Sequence, residues 1–264
     1  MSALSGPLDG IETGYESKFD FPFVLPGQKI SYLLASVPRA GSSFLSHELW
    51  RTGCLGAPLE YLNFDPAGPY HFAATSADAQ QQLWAHVLQT RTSPNGVFGL
   101  KGFLMQFHEL QRSNPPLLSS VLSVLLPRDR PRRIVYLRRR DKIAQAVSYA
   151  RASKSGVWRK EQEKEESSWI EYSREAIEAA ERGIKVQEEQ WEQMFSDLCI
   201  EPLRIWHEDT LENPAAVAEG VATYLGVKLD PKKVVEVPPV SKQSEGNSAA
   251  WIERFAEARR APFR

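Results

Sequence analysis

A short apolar run that turns abruptly into a helix-like segment constrains this chain more than any other feature. Residues 30–37 read ISYLLASV, and a turn containing glycine and serine follows at 38–43 before a helical pattern begins. A strand that ends in such a turn aims several backbone N–H groups and the positive end of the helix dipole at one point. The segment therefore predicts an anion site at the start of a helix.

The residue types of this turn narrow the kind of anion site. The kinase-type phosphate loop G-x-x-x-x-G-K-[ST] is not present, because one arginine precedes a single glycine and two hydroxyls follow it. Such a turn is also compatible with an ordinary helix start, so a second site is needed to indicate a ligand. We predict anion contacts from the turn residues Arg39, Ala40, Gly41, Ser42 and Ser43.

The second candidate anion site is a run of three arginines at 138–140. This run ends a β-branched segment, and Asp141 then provides a helix N-cap. Ser148 lies about two turns into the helix. The planar fork of arginine matches a dianionic phosphate, and a serine hydroxyl completes the shell. Arg139 precedes Ser148 by nine residues and Arg140 by eight, so either arginine could share a phosphate with this serine. The alternative interpretation is a solvated basic strand end.

Strand and helix patterns alternate along most of the chain. This alternation predicts an α/β protein, a three-layer P-loop-like fold with a central parallel sheet flanked by helices. Ligands of such sheets bind at the carboxyl ends of the strands, where Arg39, Lys101 and Arg139 fall. We expect strands at Ile30–Val37, Val97–Lys101, Arg133–Leu137 and Leu203–His207.

The organisation around this alternation is simple. Residues 1–29 are rich in Gly, Pro and acidic positions and predict an irregular arm, and residues 30–264 predict a single domain. Apolar residues recur at helical spacing from Trp169 to Leu198. They predict one long packing helix or two helices joined near Gly183.

Composition excludes several function classes. The formal charge of −1 gives no overall field that would favour nucleic acid. Cys54 and Cys199 have no metal-ligand spacing and are expected to be reduced core residues. No apolar run approaches the roughly 20 residues of a membrane span, and the amino terminus lacks the pattern of a secretory signal. We expect a cytoplasmic protein without a transmembrane segment, and a homodimer is the default.

Five further segments carry a resemblance to a known family. They are GCLGAPLEY at 53–61, SPNGVFGLK at 93–101, QAVS at 145–148, VWR at 157–159 and WIER at 251–254. In this order, together with the turn and the arginine–serine pair, they resemble sulfotransferases that use 3′-phosphoadenosine 5′-phosphosulfate (PAPS). The resemblance is to the bacterial family typified by the mycobacterial trehalose 2-sulfotransferase. It implies a sulfotransferase-like fold and transfer of a sulfuryl group from PAPS, leaving adenosine 3′,5′-bisphosphate.

The resemblance implies roles for individual residues. Glu60 corresponds to the catalytic base, Lys101 would contact the transferring sulfuryl group, and Arg39 would hold the 5′-phosphosulfate. Related animal and plant enzymes usually carry a histidine base where this chain has Phe103, which also favours Glu60. Lys242 and Gln243 match a pair expected to close over the nucleotide. No metal is expected.

The acceptor is the least constrained part of this reading. Tyr61, Phe64, Trp84 and Trp158 are candidates for stacking on an acceptor, or equally for core packing. Ala57 stands where the trehalose enzyme has an acidic residue, which argues against trehalose. The expected acceptor is a hydroxyl of a carbohydrate, glycolipid or related metabolite. The alternatives are a P-loop nucleotide kinase and a non-catalytic, nucleotide-binding sulfotransferase-like protein.

Overall fold

Four parallel strands form the centre of the protein. The computed structural model describes residues 8, 10–22, 29–66, 68–158, 162, 170–240 and 246–260. The strands pair in the order β2-β1-β3-β4, and every pairing is parallel. Their bounds are β1 Ile30–Ser36, β2 Val97–Gly102, β3 Ile134–Arg138 and β4 Leu203–Trp206.

The helices begin where the sequence supplies capping residues. Asn114 and Asn213 each accept a backbone N–H of the following turn, and each precedes a proline at the first helical position. Within the described residues, short 3-10 turns lie at 17–19, 71–73 and 231–233. The α-helices of the described residues are α1 Ser42–Arg51, α2 Ala77–Thr90, α3 Leu104–Ser113, α4 Pro115–Leu125, α5 Lys142–Ser155, α6 Arg174–Asp197, α7 His207–Glu212, α8 Pro214–Leu225 and α9 Gly246–Arg260.

The sheet has a hydrophobic core on each face. Neighbouring residues of a strand point to opposite faces, so Leu33 belongs to one core and Leu34 to the other. The larger core receives side chains from α2 to α6 and from α9. The smaller core receives them from α1 and α8. The result is three layers, helices against sheet against helices, and it confirms the fold class that the sequence predicted.

The strand order places a topological switch point between β1 and β3. The chain leaves β1 toward β2 on one side and leaves β3 toward β4 on the other. The connections after β1 and β3 therefore diverge, although the two strands are neighbours. In open parallel sheets, ligands bind outside the carboxyl ends of the strands at such a switch point. The turn at 38–41 and the arginine run at 138–140 both follow these strands.

The predicted strands are confirmed to within one residue at each end. The long helix is α6, which runs unbroken through Gly183, while Trp169 lies outside the described residues. Cys54 is buried as expected, but the prediction of a core position for Cys199 was wrong. Cys199 is exposed because the chain leaves α6 there, with a left-handed φ of 52°. No helix among the described residues is long and apolar enough to cross a membrane.

Candidate active site

The turn after β1 leaves the first backbone N–H groups of α1 without a capping side chain. Gly41 is the N-cap residue of α1 and adopts a φ of 86°, in the left-handed region that favours glycine. It has no capping side chain, so none covers the first N–H groups of the helix. A Cβ at this position would also overlap the imidazole of His207 at the start of α7. The turn therefore needs glycine for its backbone angle and for its packing.

Arg39 joins this turn to helix α5. Its Nε donates to Ser148 Oγ at 2.9 Å, and one terminal nitrogen donates to the carbonyl oxygen of Trp158 at 2.9 Å. The backbone of Arg39 has a φ of 66°, which is uncommon for a residue with a side chain. Gln145, also on α5, donates to the carbonyl oxygen of Pro38 at 3.0 Å. Two residues of α5 therefore contact the turn.

Arg139 reaches the same turn from the end of β3. Its guanidinium donates to the carbonyl oxygen of Arg39 at 3.3 Å. Burial lowers the pKa of Arg139, and it outweighs the opposing effect of Asp141 and Glu208. Arg139 Nε is buried without a hydrogen-bond partner among the described residues. A buried guanidinium N–H without an acceptor is costly, so this position favours an anionic ligand.

Arg140 is directed elsewhere. Its guanidinium forms a bidentate pair with Asp209 of α7, with distances of 2.6 and 2.9 Å, and its side chain is exposed. Its backbone N–H donates to the carboxylate of Glu208 at 3.0 Å. Hydrogen bonding to Asp209 raises the pKa of Arg140. Of the two arginines left open by the sequence, Arg139 is the one that contacts the turn.

Glu60 and Lys101 form an ion pair beside the turn. Lys101 Nζ lies 2.8 Å from Glu60 Oε1, and their side chains are only 3% and 17% exposed. The same Nζ donates to Ser43 Oγ, in the first turn of α1, at 3.1 Å. Glu60 Oε2 accepts from Asn63 at 3.1 Å and from Gln106 at 3.4 Å. Lys101 thereby connects the carboxylate of Glu60, which can accept a proton, to the first turn of α1.

The sequence matches a known protein family over most of its length. The sequence model of the Stf0 sulphotransferases matches residues 31–258. The chain belongs to the Stf0 sulphotransferase family. Two relatives are named trehalose 2-sulfotransferase. The protein of Mycobacterium tuberculosis (strain ATCC 35801 / TMC 107 / Erdman) is 29% identical over 261 residues, covering 87% of this chain and 96% of its own. The protein of Mycolicibacterium smegmatis (strain ATCC 700084 / mc(2)155) is 28% identical over 258 residues, covering 85% and 94%.

In this Stf0 sulphotransferase the structure brings most of the predicted site residues together. Direct hydrogen bonds or ion pairs join Arg39 to Ser148, Arg139 to Arg39, and Lys101 to both Ser43 and Glu60. Ala40 and Ser42 are buried parts of the same turn. Lys242 and Gln243 lie outside the described residues. Among the residues that are described, no group of three His, Cys, Asp or Glu side chains could hold a metal ion.

The aromatic acceptor candidates fall into different environments. Tyr61 is 1% exposed, and its hydroxyl donates to the carbonyl oxygen of Ala57. Trp84 is buried with its ring edge-on to Phe98, so both tyrosine and tryptophan pack in the core. Phe64 is half-buried against the core. Trp158 is 42% exposed and lies beside Tyr149, with ring centroids 6.0 Å apart.

Ala57, which stands where the trehalose enzyme has an acidic residue, lies inside the protein. Its side chain is fully buried and belongs to the larger core. Its backbone N–H donates to the carbonyl oxygen of Arg91 at 3.2 Å. The expectation that trehalose is not the acceptor stays a prediction.

Sequence reasoning missed three residues around Glu60. Gln106 accepts from the backbone N–H of Phe103 at 3.1 Å, as the third residue of a helix does in a capping box, so that spacing could have indicated it. Asn63 follows Glu60 by three residues but carries no pattern of its own. Tyr15 accepts from the backbone N–H of Glu60 at 3.1 Å, although it lies far away in sequence. Local patterns do not reveal such a contact.

Proposed function

We propose that this protein transfers a sulfuryl group from PAPS to a hydroxyl of a carbohydrate, glycolipid or related metabolite. The observation that carries the proposal is the position of Lys101, whose Nζ lies 2.8 Å from Glu60 Oε1 and 3.1 Å from Ser43 Oγ. One cation thus connects a carboxylate to a turn that opens the amino end of a helix. Membership of the Stf0 sulphotransferases supports the same reaction class.

The residues around the turn suit a donor with two phosphate groups. The first turn of α1 with Ser43 would receive the 5′-phosphosulfate, and Arg39 would lie against it. Arg139 and Ser148 would hold the 3′-phosphate, and the buried, unsatisfied Nε of Arg139 supports that role. In the present structure Arg39 donates to Ser148, so we propose that donor binding replaces this hydrogen bond.

Bound PAPS would supply an activated sulfuryl group whose S–O bond to the 5′-phosphate breaks during transfer. Glu60 would accept the proton of the acceptor hydroxyl as the new S–O bond forms. Lys101 would stabilise charge on the sulfuryl oxygens, and it is the candidate proton donor to the departing phosphate. Arg39 stays protonated at any working pH, so its contribution would be charge stabilisation alone. These cations supply the positive charge, so we propose no metal in this scheme.

Trehalose is the first acceptor to test. Both mycobacterial relatives are named for transfer to trehalose, at 29% and 28% identity. The backbone carbonyl oxygen of Trp158 accepts from Arg39, and the ring of Trp158 is partly exposed. A sugar face or an apolar tail could stack on this ring. We therefore propose a panel of disaccharides, glycolipids and simple alcohols.

The experiment incubates the purified protein with labelled PAPS and this panel, and it follows sulfated product and bisphosphate by mass spectrometry. The proposal expects one acceptor class to be sulfated with stoichiometric release of adenosine 3′,5′-bisphosphate. Parallel titrations compare that bisphosphate with ATP and Mg²⁺. Tighter, magnesium-dependent binding of ATP would support the nucleotide kinase instead. Binding of the bisphosphate without turnover on any acceptor would support the non-catalytic alternative. The cytoplasmic location and the homodimer stay predictions.

A further inference from the structure

The segment that precedes β1 is anchored to the body of the protein by Arg91. Arg91 is buried, and its guanidinium donates to the carbonyl oxygens of Gly14 and Tyr15 at 2.9 Å each. It also forms an ion pair with Asp20 at 3.0 Å. The backbone N–H of Phe21 donates to the carbonyl oxygen of Thr90 at 2.8 Å. A buried guanidinium whose donors are taken by one segment fixes the path of that segment.

The segment is also organised internally, by Glu16. Its carboxylate accepts from the backbone N–H of Thr13 at 2.8 Å, from the hydroxyl of Thr13 at 2.9 Å and from the backbone N–H of Gly14 at 2.8 Å. These bonds close a compact turn over residues 13–16, which contains Tyr15. This part of the chain lies outside residues 31–258, which the family model matches.

Tyr15 extends from this turn toward Glu60. Its ring packs edge-on against Tyr70, with centroids 5.2 Å apart, and against Tyr61, with centroids 6.4 Å apart. Its hydroxyl accepts the backbone N–H of Glu60 at 3.1 Å. The aromatic contacts orient the ring, so the hydroxyl meets the backbone at a defined point.

The peptide group between Leu59 and Glu60 is held at both of its polar ends. The carbonyl oxygen of Leu59 accepts from the backbone N–H of Lys101 at 3.0 Å, at the carboxyl end of β2. The N–H of the same peptide group donates to Tyr15. The orientation of this planar group sets φ of Glu60 and hence the direction of its side chain. Losing one of the two bonds would let the peptide rotate and would displace the carboxylate.

We infer that Tyr15 is a positioning residue for Glu60, and that the segment at 10–22 is part of the active site. The inference rests on the proposed function, in which Glu60 is the base. Tyr15 does not touch the reacting atoms. It acts by fixing the peptide group that carries Glu60, from the face opposite to Lys101.

The test compares Tyr15→Phe with Tyr70→Phe. Both changes remove one hydroxyl from neighbouring rings, of which that of Tyr70 is buried and that of Tyr15 partly buried. The hydroxyl of Tyr15 accepts the N–H of Glu60, whereas that of Tyr70 makes no hydrogen bond within the described part of the chain. Tyr15→Phe should lower turnover about tenfold and leave the affinity for adenosine 3′,5′-bisphosphate within about twofold, because only the position of the base changes. Amide hydrogen exchange at Glu60 should accelerate by about tenfold, which is independent of activity. Tyr70→Phe should change neither quantity.

Equal behaviour of the two variants in turnover and in exchange would overturn the inference. It would also be overturned if Tyr15→Phe lost bisphosphate affinity and turnover together, because that result indicates general loss of packing. The proposed function fails separately, when the wild-type protein transfers no sulfuryl group to any acceptor. Full turnover of Tyr15→Phe in an otherwise active protein counts against Tyr15 alone.

Discussion

Lys101 Nζ lies 2.8 Å from Glu60 Oε1, and this ion pair is almost closed to solvent. Lys101 stands at the end of β2, whereas Glu60 lies on a loop between α1 and α2. The carboxylate is therefore neutralised by the lysine that also contacts Ser43 in the first turn of α1. In the proposed reaction, an anion arriving at the turn would attract Lys101 and release Glu60 to accept a proton. Donor binding would then precede productive acceptor binding.

The first prediction concerns the stability of this pair. Lys101→Met leaves Glu60 buried without its counter-ion, which should lower the free energy of unfolding by about 3 kcal/mol. Lys185→Met is the control, because Lys185 is 78% exposed and its pair with Glu189 is on the surface. That change should stay within about 0.5 kcal/mol. Urea unfolding of these two variants, of Glu60→Gln and of Lys101→Met combined with Glu60→Gln gives the coupling between the two charges. Equal losses at residues 101 and 185 would contradict the burial argument.

The second prediction separates the two arginines after β3. Arg139→Ala should weaken binding of adenosine 3′,5′-bisphosphate by about tenfold or more, because a charged hydrogen bond to the 3′-phosphate is lost. Arg140→Ala should have little effect, since Arg140 is already paired with Asp209. Calorimetry with the bisphosphate and with adenosine 5′-monophosphate, which lacks the 3′-phosphate, checks this. Arg139→Ala should leave the affinity for the monophosphate almost unchanged. A larger effect at Arg140 would reverse the assignment.

The third prediction concerns the backbone of the turn. Gly41→Ala should destabilise the protein by about 2 kcal/mol or more, because a left-handed φ is strained and the new methyl group overlaps His207. Gly183→Ala places the same methyl group inside α6, where nothing lies within 4 Å. Higher helix propensity should then raise stability by up to about 1 kcal/mol. Thermal unfolding of both variants measures the contrast. Similar destabilisation by both would show that the turn imposes no special requirement.

The fourth prediction is a pH dependence of the segment before β1. Burial acts to raise the pKa of Glu16, but hydrogen bonds from Thr13 and Gly14 outweigh it, and the pKa lies below its ordinary value. The ionised form is therefore favoured in the folded state. Its contribution to stability is present above the ordinary carboxyl pKa and is lost as pH falls through the lowered value.

Hydrogen exchange of residues 10–22, corrected for intrinsic rates, measures this dependence. The segment should be protected at neutral pH and should lose protection on acidification. Glu16→Gln should remove the pH dependence and leave the segment weakly protected throughout. Glu12→Gln is the control, since Glu12 pairs with Lys18 at the surface. Unchanged protection of wild type across this range would contradict the role given to Glu16.

Much of the fold was predictable because its signals are local. Short apolar runs mark the four strands, and parallel pairing brings their carboxyl ends to one edge. Arg39 and Lys101 were expected at that edge. The hydrogen bond from Arg39 to Ser148 was not predicted, because the pattern paired Ser148 with Arg139 or Arg140. The choice of Arg139 over Arg140 needed the structure, because both side chains leave the same strand end and only one meets the turn.

The rest depends on contacts between segments without periodicity. Tyr15 reaches Glu60 because Arg91 anchors the preceding segment, and no spacing rule connects these three positions. Tyr61 follows Glu60 directly, yet it turns into the core, so neighbouring positions of a loop differ in exposure. Loop geometry of this kind is set by tertiary packing, which a sequence pattern does not encode.

The role of Glu60 as the base is tested most directly by the turnover of Glu60→Gln with saturating PAPS and the best acceptor. The change keeps the size of the side chain and removes its ability to accept a proton. Because Glu60 is the proposed base, turnover should fall by about two orders of magnitude or more, while the affinity for adenosine 3′,5′-bisphosphate should stay within about threefold. Glu48→Gln is the control, because the carboxylate of Glu48 lies in α1 and pairs with Arg51, and this variant should retain full turnover. If Glu60→Gln turned over as fast as the wild-type protein, Glu60 could not be the base.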